Sequence, residues 1–117
     1  MKRVFVHPDL FRVPDGTLVA EMLLVEDGFN LAPGIVEPGN TSKIHVHPFV
    51  TQVTYVLSGE LTVWMRGPKD EKPYSLELMS NQACLTEPET FFQLVNPTSE
   101  PCQVLYIVSP PFRLLKK

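Results

Sequence analysis

The distribution of proline constrains the fold of this chain more than any other feature. Twelve prolines are spread through 117 residues, and the longest intervals without one are 15–32 and 49–67. A proline inside a helix removes a hydrogen bond and clashes with the preceding turn, so helices are mostly excluded. Both intervals also favour strands, because they carry apolar or β-branched runs without a clear 3.6-residue period. The run over 17–25 still allows a helix.

Turn dipeptides divide the rest of the chain into short strands. Asp15-Gly16, Pro33-Gly34 and Ser58-Gly59 are examples of these turn signals. The predicted strands lie at residues 34–37, 43–47, 52–57, 60–66, 74–78, 83–86, 91–95 and 103–108. Many short strands at regular spacing favour an antiparallel sandwich or barrel of the jelly-roll class. We therefore predict one all-β domain over residues 1–117.

Charge and hydropathy exclude several classes of partner. The net charge of −3 offers no basic surface for nucleic acid. No apolar segment is long enough to span a membrane, and the N-terminus lacks the apolar core of an export signal. These features predict a cytoplasmic protein with no nucleic-acid or membrane partner. In that compartment Cys84 and Cys102 are expected to be reduced, buried thiols.

Two histidines carry the clearest chemical signal. His45 and His47 are separated by one residue inside a β-branched run. Alternate residues of a strand point to the same face, so the two imidazoles should converge. Converging imidazoles indicate a metal site, since imidazole is the commonest metal ligand in proteins.

The residues around this pair follow a known spacing. Gly39, His45, His47, Gln52 and Gly59 resemble the first motif of the cupins, in which the position of Gln52 is usually glutamate. The second cupin motif is similar only in part to the sequence from Pro88 to Asn96. There Pro88 is in place, Thr90 replaces a glycine, Gln93 stands at the position of the third histidine, and Asn96 comes one residue early. The resemblance covers about residues 39–97.

The resemblance to cupins implies a double-stranded β-helix, or jelly-roll barrel, that holds a divalent metal ion. The implied ligands are His45, His47, Gln52 and Gln93, and the ion is zinc, iron, nickel or manganese. This set places no negative charge against the cation, so weaker binding and a more Lewis-acidic ion are expected. His7, the third histidine of the chain, is expected at the surface. Because cupins commonly pair, a homodimer is also expected.

Strand alternation predicts the wall of the pocket. Gln52 should share a face with Thr54 and Val56, and Gln93 should share one with Phe91. Such a wall is apolar with a few polar groups, which is typical of a site for a small-molecule ligand. The alternative is a hydrogen-bonded network of the four polar residues without an ion, because amides and neutral imidazoles both donate and accept.

Three functions remain open on the sequence. The first is a metal-dependent enzyme that acts on a small oxygenated organic substrate by Lewis-acid chemistry, of the isomerase or cyclase type, or by oxygenation. The second is a non-catalytic binding module for a sugar-like molecule, with an empty polar cavity. The third is an accessory protein whose interface matters more than its pocket.

Overall fold

The computed structural model of the protein describes residues 9–25 and 27–111, and His7 lies outside these ranges. Within them the chain forms strands and no helix, as the proline distribution predicts. The strands are β1 (Phe11–Arg12), β2 (Leu18–Val19), β3 (Leu23–Val25), β4 (Phe29–Val36), β5 (His45–Val46), β6 (Thr51–Ser58), β7 (Leu61–Arg66), β8 (Tyr74–Leu78), β9 (Ala83–Thr86), β10 (Phe91–Val95) and β11 (Cys102–Ser109). No helix in the described ranges is long and apolar enough to span a membrane.

The strands form two antiparallel sheets that pack face to face as a jelly roll. The larger sheet has seven strands in the order β1-β2-β4-β11-β6-β9, and β3 also pairs with β4. The smaller sheet has the order β5-β10-β7-β8. Antiparallel strands that lie far apart in the sequence are neighbours in both sheets, as β4 and β11 are. The all-β jelly-roll prediction is confirmed.

The core lies between the two inner faces and follows strict alternation. On β6, Gln52, Thr54 and Val56 are all buried, whereas the residues between them are half-buried. The largest fully buried side chains are Phe92, Leu61, Met65 and Leu94, all of which belong to the smaller sheet. Each fully buried apolar side chain of this size contributes about 1.5–3 kcal/mol through removal from water.

Pro33-Gly34 lies inside a strand, where the sequence predicted a turn. Both residues belong to β4, and Pro33 pairs with Leu105 of β11. The carbonyl oxygen of Pro33 accepts a hydrogen bond from Ala20 N at 3.1 Å. Ala20 lies between β2 and β3, which pair with the same edge of β4 on either side of Pro33 and leave a gap opposite it. A residue's N–H and C=O point to the same side of a strand, so a backbone N–H at position 33 would point into this gap. Its absence in proline therefore costs no ladder hydrogen bond.

The run over 17–25 is neither one strand nor a helix. It contains β2 and β3, which pair with different parts of β4 and are separated by residues 20–22. Ala20 in this break is almost fully buried and lines the cavity described below. An apolar run without clear periodicity could not indicate where the pairing would change.

Both cysteines are buried free thiols, as expected. Cys84 lies on β9 and Cys102 on β11, and both belong to the hydrophobic core. Burial raises the pKa of each thiol to about 11, because the charged thiolate is poorly solvated there.

Gly59 and Gly39 give a matched test of packing against backbone strain. Both have positive φ, at 95° and 68°. A Cβ on Gly59 would lie 2.9 Å from the Pro101 carbonyl oxygen, whereas a Cβ on Gly39 would meet nothing within 4 Å. We expect Gly39→Ala to cost about 1 kcal/mol of unfolding free energy from backbone strain alone. Gly59→Ala should cost about 2–3 kcal/mol, since a main-chain clash adds to the strain. Urea denaturation measures both, and equal losses would contradict the packing argument.

Candidate functional site

A cavity of about 520 Å³ opens beside the inner face of the larger sheet. Much of its wall is apolar and comes from the N-terminal strands, including Val19, Ala20, Met22 and Leu24. The polar and charged side chains that line it belong to Asp15, Thr17, Glu21, Asn30, His45, His47, Gln52 and Tyr106. A concave apolar wall with a few convergent polar groups is the usual form of a small-molecule site.

The two histidines both reach this cavity, as their spacing predicts. Their ring centroids are 5.5 Å apart and the ring planes are tilted by 54°. His45 Nδ1 lies 3.0 Å from the carbonyl oxygen of Lys43 and 3.7 Å from Asp15 Oδ2. Because a carbonyl only accepts hydrogen bonds, Nδ1 carries a proton, and in the neutral form of the imidazole Nε2 then has the lone pair.

Gln52 is buried at the base of the histidine pair. Its Nε2 donates to Thr54 Oγ1 at 3.1 Å, and its side chain also hydrogen-bonds His47. Burial lowers the pKa of His47, and the neighbouring His45 imidazole lowers it further. The Gln52 hydrogen bond and the Asp15 carboxylate oppose this shift without reversing it. The His47 imidazole is therefore neutral at physiological pH.

Asp15 is a site residue that the sequence did not single out. Its Oδ1 accepts hydrogen bonds from Thr17 N at 2.9 Å and from Thr17 Oγ1 at 2.7 Å, and its Oδ2 faces His45. The Asp15-Gly16 pair predicts a turn, and Gly16 does have a positive φ. Nothing local to the sequence shows that this turn folds against the strand of the histidines.

Tyr106 contributes a buried hydroxyl that lacks a good partner. Its side chain is 7% exposed and lines the cavity from the centre of β11. Within the described residues the hydroxyl makes no hydrogen bond of ordinary length and angle. Burial and the Asp15 carboxylate raise the pKa of the phenol, and Thr17 lies near enough to oppose the shift slightly. An orphaned buried hydroxyl beside a cavity indicates a missing polar partner.

Gln93 lies apart from the other three predicted ligands. It is half-buried, and its Nε2 donates to the carbonyl oxygen of Ser42 at 2.9 Å. Its neighbours Phe92 and Leu94 are the buried residues of β10, so Gln93 points to the outer face together with Phe91. The structure thus brings together His45, His47 and Gln52 but not Gln93, and Phe91 and Gln93 do not form the predicted pocket wall.

Phe92 occupies the place beside the histidines that the resemblance to the second cupin motif assigns to Gln93. It pairs with His45 across β5 and β10, and its ring centroid lies 4.0 Å from that of His45 and 5.5 Å from that of His47. The sequence feature that could have indicated this position is Asn96, which comes one residue earlier than in the motif. Counting four residues back from Asn96, instead of forward from Pro88, places the third-histidine position at Phe92.

These residues do not fit a firmly bound metal ion. Two imidazoles on one zinc ion, at Zn–N distances of about 2.1 Å, have ring centres roughly 5 Å apart, so the histidine pair alone is suitable. The third position, however, holds the hydrocarbon ring of Phe92, and Gln52 offers only a neutral amide that is already hydrogen-bonded. The described residues contain no group of three His, Cys, Asp or Glu that could hold a metal. Metal binding at His45, His47, Gln52 and Gln93 stays a prediction.

The lowered pKa of His47 predicts an acid-sensitive fold. The unfolded chain takes up a proton near the ordinary histidine value of about 6.5, whereas the folded chain resists it until lower pH. Stability should therefore be full above about pH 6.5 and decline as the pH falls towards the lower folded pKa. Urea midpoints measured between pH 8 and pH 5 test this, and His47→Gln should flatten the decline. An equal decline in that variant would assign the effect to other groups.

Comparisons with known proteins agree with this architecture. A family model described as "Cupin domain" matches residues 34–108. The cupin domain of CENP-C from Drosophila melanogaster superposes with a TM-score of 0.73 at 17% identity, covering 86% of this chain and 74% of that one. A protein from Bacillus halodurans gives 0.69 at 22% identity, with 77% and 68% covered. The capsular polysaccharide assembling protein CapF from Staphylococcus aureus gives 0.74 at 17% identity, with 86% and 30% covered. At these identities the likeness establishes the fold alone. No curated protein sequence matches the chain.

Proposed function

The chain belongs to the cupin superfamily, and on this basis we propose that it is a binding protein for a small, mostly apolar molecule with a polar group at one end. The observation that carries the proposal is the 520 Å³ cavity, whose apolar wall ends at a compact polar cluster. We therefore expect a mostly apolar ligand in place of the sugar-like one predicted from the sequence, because a sugar needs polar partners on most sides.

The polar cluster favours a neutral hydroxyl or amide group on the ligand. His45 Nε2 can accept a hydrogen bond, and the Tyr106 hydroxyl can donate or accept one. The charged side chains that line the cavity within the described residues are the carboxylates of Asp15 and Glu21, and both would repel an anion. A hydroxylated ring compound meets these requirements, since its hydroxyl can satisfy Tyr106 while its hydrocarbon part contacts the apolar wall.

Two structural neighbours have been crystallised together with another molecule. CapF has been crystallised with the inhibitor 3-isopropenyl-tropolone, and Drosophila CENP-C has been crystallised bound to CAL1. Those facts belong to those proteins. They show that cupin folds of this shape occur in proteins of unrelated roles, so the site's own chemistry must decide between them.

A metal-dependent enzyme for a small oxygenated molecule is the second candidate. It is favoured by one observation, the convergence of His45 and His47 with a free lone pair on His45 Nε2. Phe92 at the third position opposes it. Elemental analysis of protein purified without an affinity tag or added metal tests this candidate, and a stoichiometric ion lost in both His45→Ala and His47→Ala would favour it over the binding role.

Fluorescence titration with N-phenyl-1-naphthylamine, a neutral apolar probe, tests the binding role. We expect saturable binding at one site per chain, weakened at least about tenfold by Met22→Trp, which adds bulk at the cavity wall. Displacement by 1-naphthol should be stronger than displacement by naphthalene, because only the former has a hydroxyl for the polar cluster. Chelator in the buffer should change nothing. Absence of saturable binding, or equal binding by Met22→Trp, would refute the proposal.

Tyr106→Phe should affect stability and binding in opposite directions. The change removes a buried hydroxyl without a good partner, so the unfolding free energy should stay equal or rise by about 1 kcal/mol. Binding of 1-naphthol should weaken about tenfold, while binding of naphthalene should not change. Thermal melting and probe displacement measure the two effects. A variant that is clearly less stable would show that the hydroxyl has a partner in the folded protein.

A further inference from the structure

The Asp15 carboxylate has one oxygen that can still accept a hydrogen bond. Its Oδ1 already accepts two hydrogen bonds from Thr17. The donor that faces its Oδ2 within the described chain is His45 Nδ1, 3.7 Å away. This distance is too long for a hydrogen bond, and Nδ1 lies at hydrogen-bonding distance from the Lys43 carbonyl instead. Because the Asp15 side chain lines the cavity, Oδ2 can accept a hydrogen bond from a bound molecule.

The Tyr106 hydroxyl is a second polar group with unused hydrogen-bonding capacity in the same cavity. It belongs to a side chain that is 7% exposed, and within the described residues it makes no hydrogen bond of ordinary length and angle. Thr17 connects the two groups, since its hydroxyl donates to Asp15 and the residue also lies near the phenol. The ring of Tyr106 packs directly on Gly34, where a Cβ would lie 2.6 Å from Cε2. The unpartnered hydroxyl therefore has a fixed position beside Asp15.

The turn that carries Asp15 is also fixed before a ligand arrives. The main-chain carbonyl of Asp15 accepts a hydrogen bond from Lys43 N at 2.9 Å. The next carbonyl, that of Gly16, accepts from Arg12 Nη1 at 2.8 Å and from Asn40 Nδ2 at 3.0 Å. A carboxylate held on such a turn cannot move away from a ligand group that offers no hydrogen, so a mismatched ligand loses affinity.

We propose that Asp15 selects ligands whose polar group donates a hydrogen bond, an inference that rests on the proposed binding role of the cavity. A carboxylate only accepts hydrogen bonds, whereas a phenol both donates and accepts. A ligand hydroxyl satisfies both groups at once, because it donates to Asp15 Oδ2 and accepts from Tyr106. An ether or ketone oxygen satisfies Tyr106 alone and leaves its lone pairs facing the carboxylate. The site therefore takes a hydroxylated ring compound and rejects its methyl ether or the corresponding ketone.

Displacement of N-phenyl-1-naphthylamine by three ligands that share one ring system tests this selection. 1-Naphthol donates and accepts, 1-methoxynaphthalene only accepts, and 1-methylnaphthalene does neither. We expect 1-naphthol to bind at least about tenfold more tightly than the other two, and 1-methoxynaphthalene to bind no more tightly than 1-methylnaphthalene. Saturable probe binding with equal affinities for 1-naphthol and 1-methoxynaphthalene would overturn the selection alone. Absence of saturable probe binding would overturn the binding role and the selection with it.

Asp15→Asn should remove the preference for donors. The Thr17 hydrogen bonds keep an oxygen at the Oδ1 position, so the introduced amide nitrogen replaces Oδ2 and can donate to an ether oxygen. The affinity of 1-naphthol relative to 1-methoxynaphthalene should fall at least about tenfold. This ratio compares two ligands in one variant, so a general loss of affinity cancels. An unchanged ratio in folded Asp15→Asn protein, established by circular dichroism, would contradict the role of Asp15.

Glu21→Gln is the charge-matched comparison. Glu21 lines the same cavity but is exposed, so this change removes one carboxylate charge without altering the acceptor at Asp15. The ratio of the two affinities should stay near the wild-type value. An equal fall in Glu21→Gln and Asp15→Asn would assign the preference to the charge of the cavity and overturn the proposal. If Asp15→Asn does not fold, the ligand series on the wild type decides.

Discussion

Phe92→His should create a zinc site where the wild type has only two imidazoles. The new imidazole would replace a ring that lies 4.0 Å from His45 and 5.5 Å from His47, completing three nitrogen ligands. Three histidines plus a water are a sufficient ligand set for catalytic zinc. We expect zinc affinity to rise at least about a hundredfold over the wild type, equivalent to about 2.7 kcal/mol. Competition with a chromogenic chelator measures this.

Gln93→His is the matched control for that experiment. The cupin motif counted forward from Pro88 assigns the third ligand to Gln93, but this side chain points outward and hydrogen-bonds the Ser42 carbonyl. Zinc affinity should therefore stay at the wild-type value. Without zinc, Phe92→His should lose about 2–4 kcal/mol of stability because Phe92 is fully buried, and zinc should restore part of it. Tighter binding by Gln93→His than by Phe92→His would reverse the assignment.

Asn96→Asp should destabilise the fold by about 4 kcal/mol at neutral pH. Asn96 is fully buried and uses all its hydrogen-bonding capacity. Its Nδ2 donates to the carbonyl oxygens of Val36 at 2.9 Å and Glu100 at 2.7 Å, and its Oδ1 accepts from Thr98 N and Oγ1. A carboxylate would face two carbonyl oxygens with no proton to share. Since domains of this size are stable by about 5–15 kcal/mol, this one change removes a large fraction.

The loss at Asn96→Asp should depend on pH in a defined direction. Burial against carbonyl oxygens raises the pKa of the introduced carboxyl group in the folded state, so its cost is smallest below the unfolded value near 4 and grows as pH rises. Urea denaturation at two pH values tests this. Asn40→Asp is the control, because Asn40 is half-buried and its Nδ2 donates to the Gly16 carbonyl at 3.0 Å; its loss should be about 1 kcal/mol. Equal losses at both positions would contradict the account.

The sequence was sufficient for the class of fold but not for every strand. Proline spacing and β-branched runs predicted β6 to β11 nearly to their ends, because those strands are bounded by strong turn signals. The start of β4 was missed, because Pro33-Gly34 has the composition of a turn. Proline is tolerated there because β2 and β3 leave a gap along the neighbouring edge of β4. That gap depends on how the two strands pair with β4, which local composition does not show.

For the site, local periodicity succeeded and counting between motifs did not. His45, His47 and Gln52 face one cavity because alternation on short strands is fixed by backbone geometry. The structure places Gln93 one residue away from the position beside the histidines, and a shift of one residue in a strand moves a side chain to the opposite face. Asp15 and Tyr106 could not be predicted, because only the pairing of β2 with β4 and of β4 with β11 brings them to the histidines.

Labelling of the two buried thiols can report local unfolding of the protein. With pKa values of about 11 against an ordinary 9.0, Cys84 and Cys102 carry about a hundredfold less thiolate in the closed state, and burial blocks reagents as well. Labelling by a disulfide reagent must therefore wait for a strand to detach. Cys84 lies on the edge strand β9, whereas Cys102 lies on β11 between two neighbours. Edge strands open at lower free energy than central ones. The labelling rates of single-cysteine variants would therefore show whether β9 detaches from the sheet before β11 does.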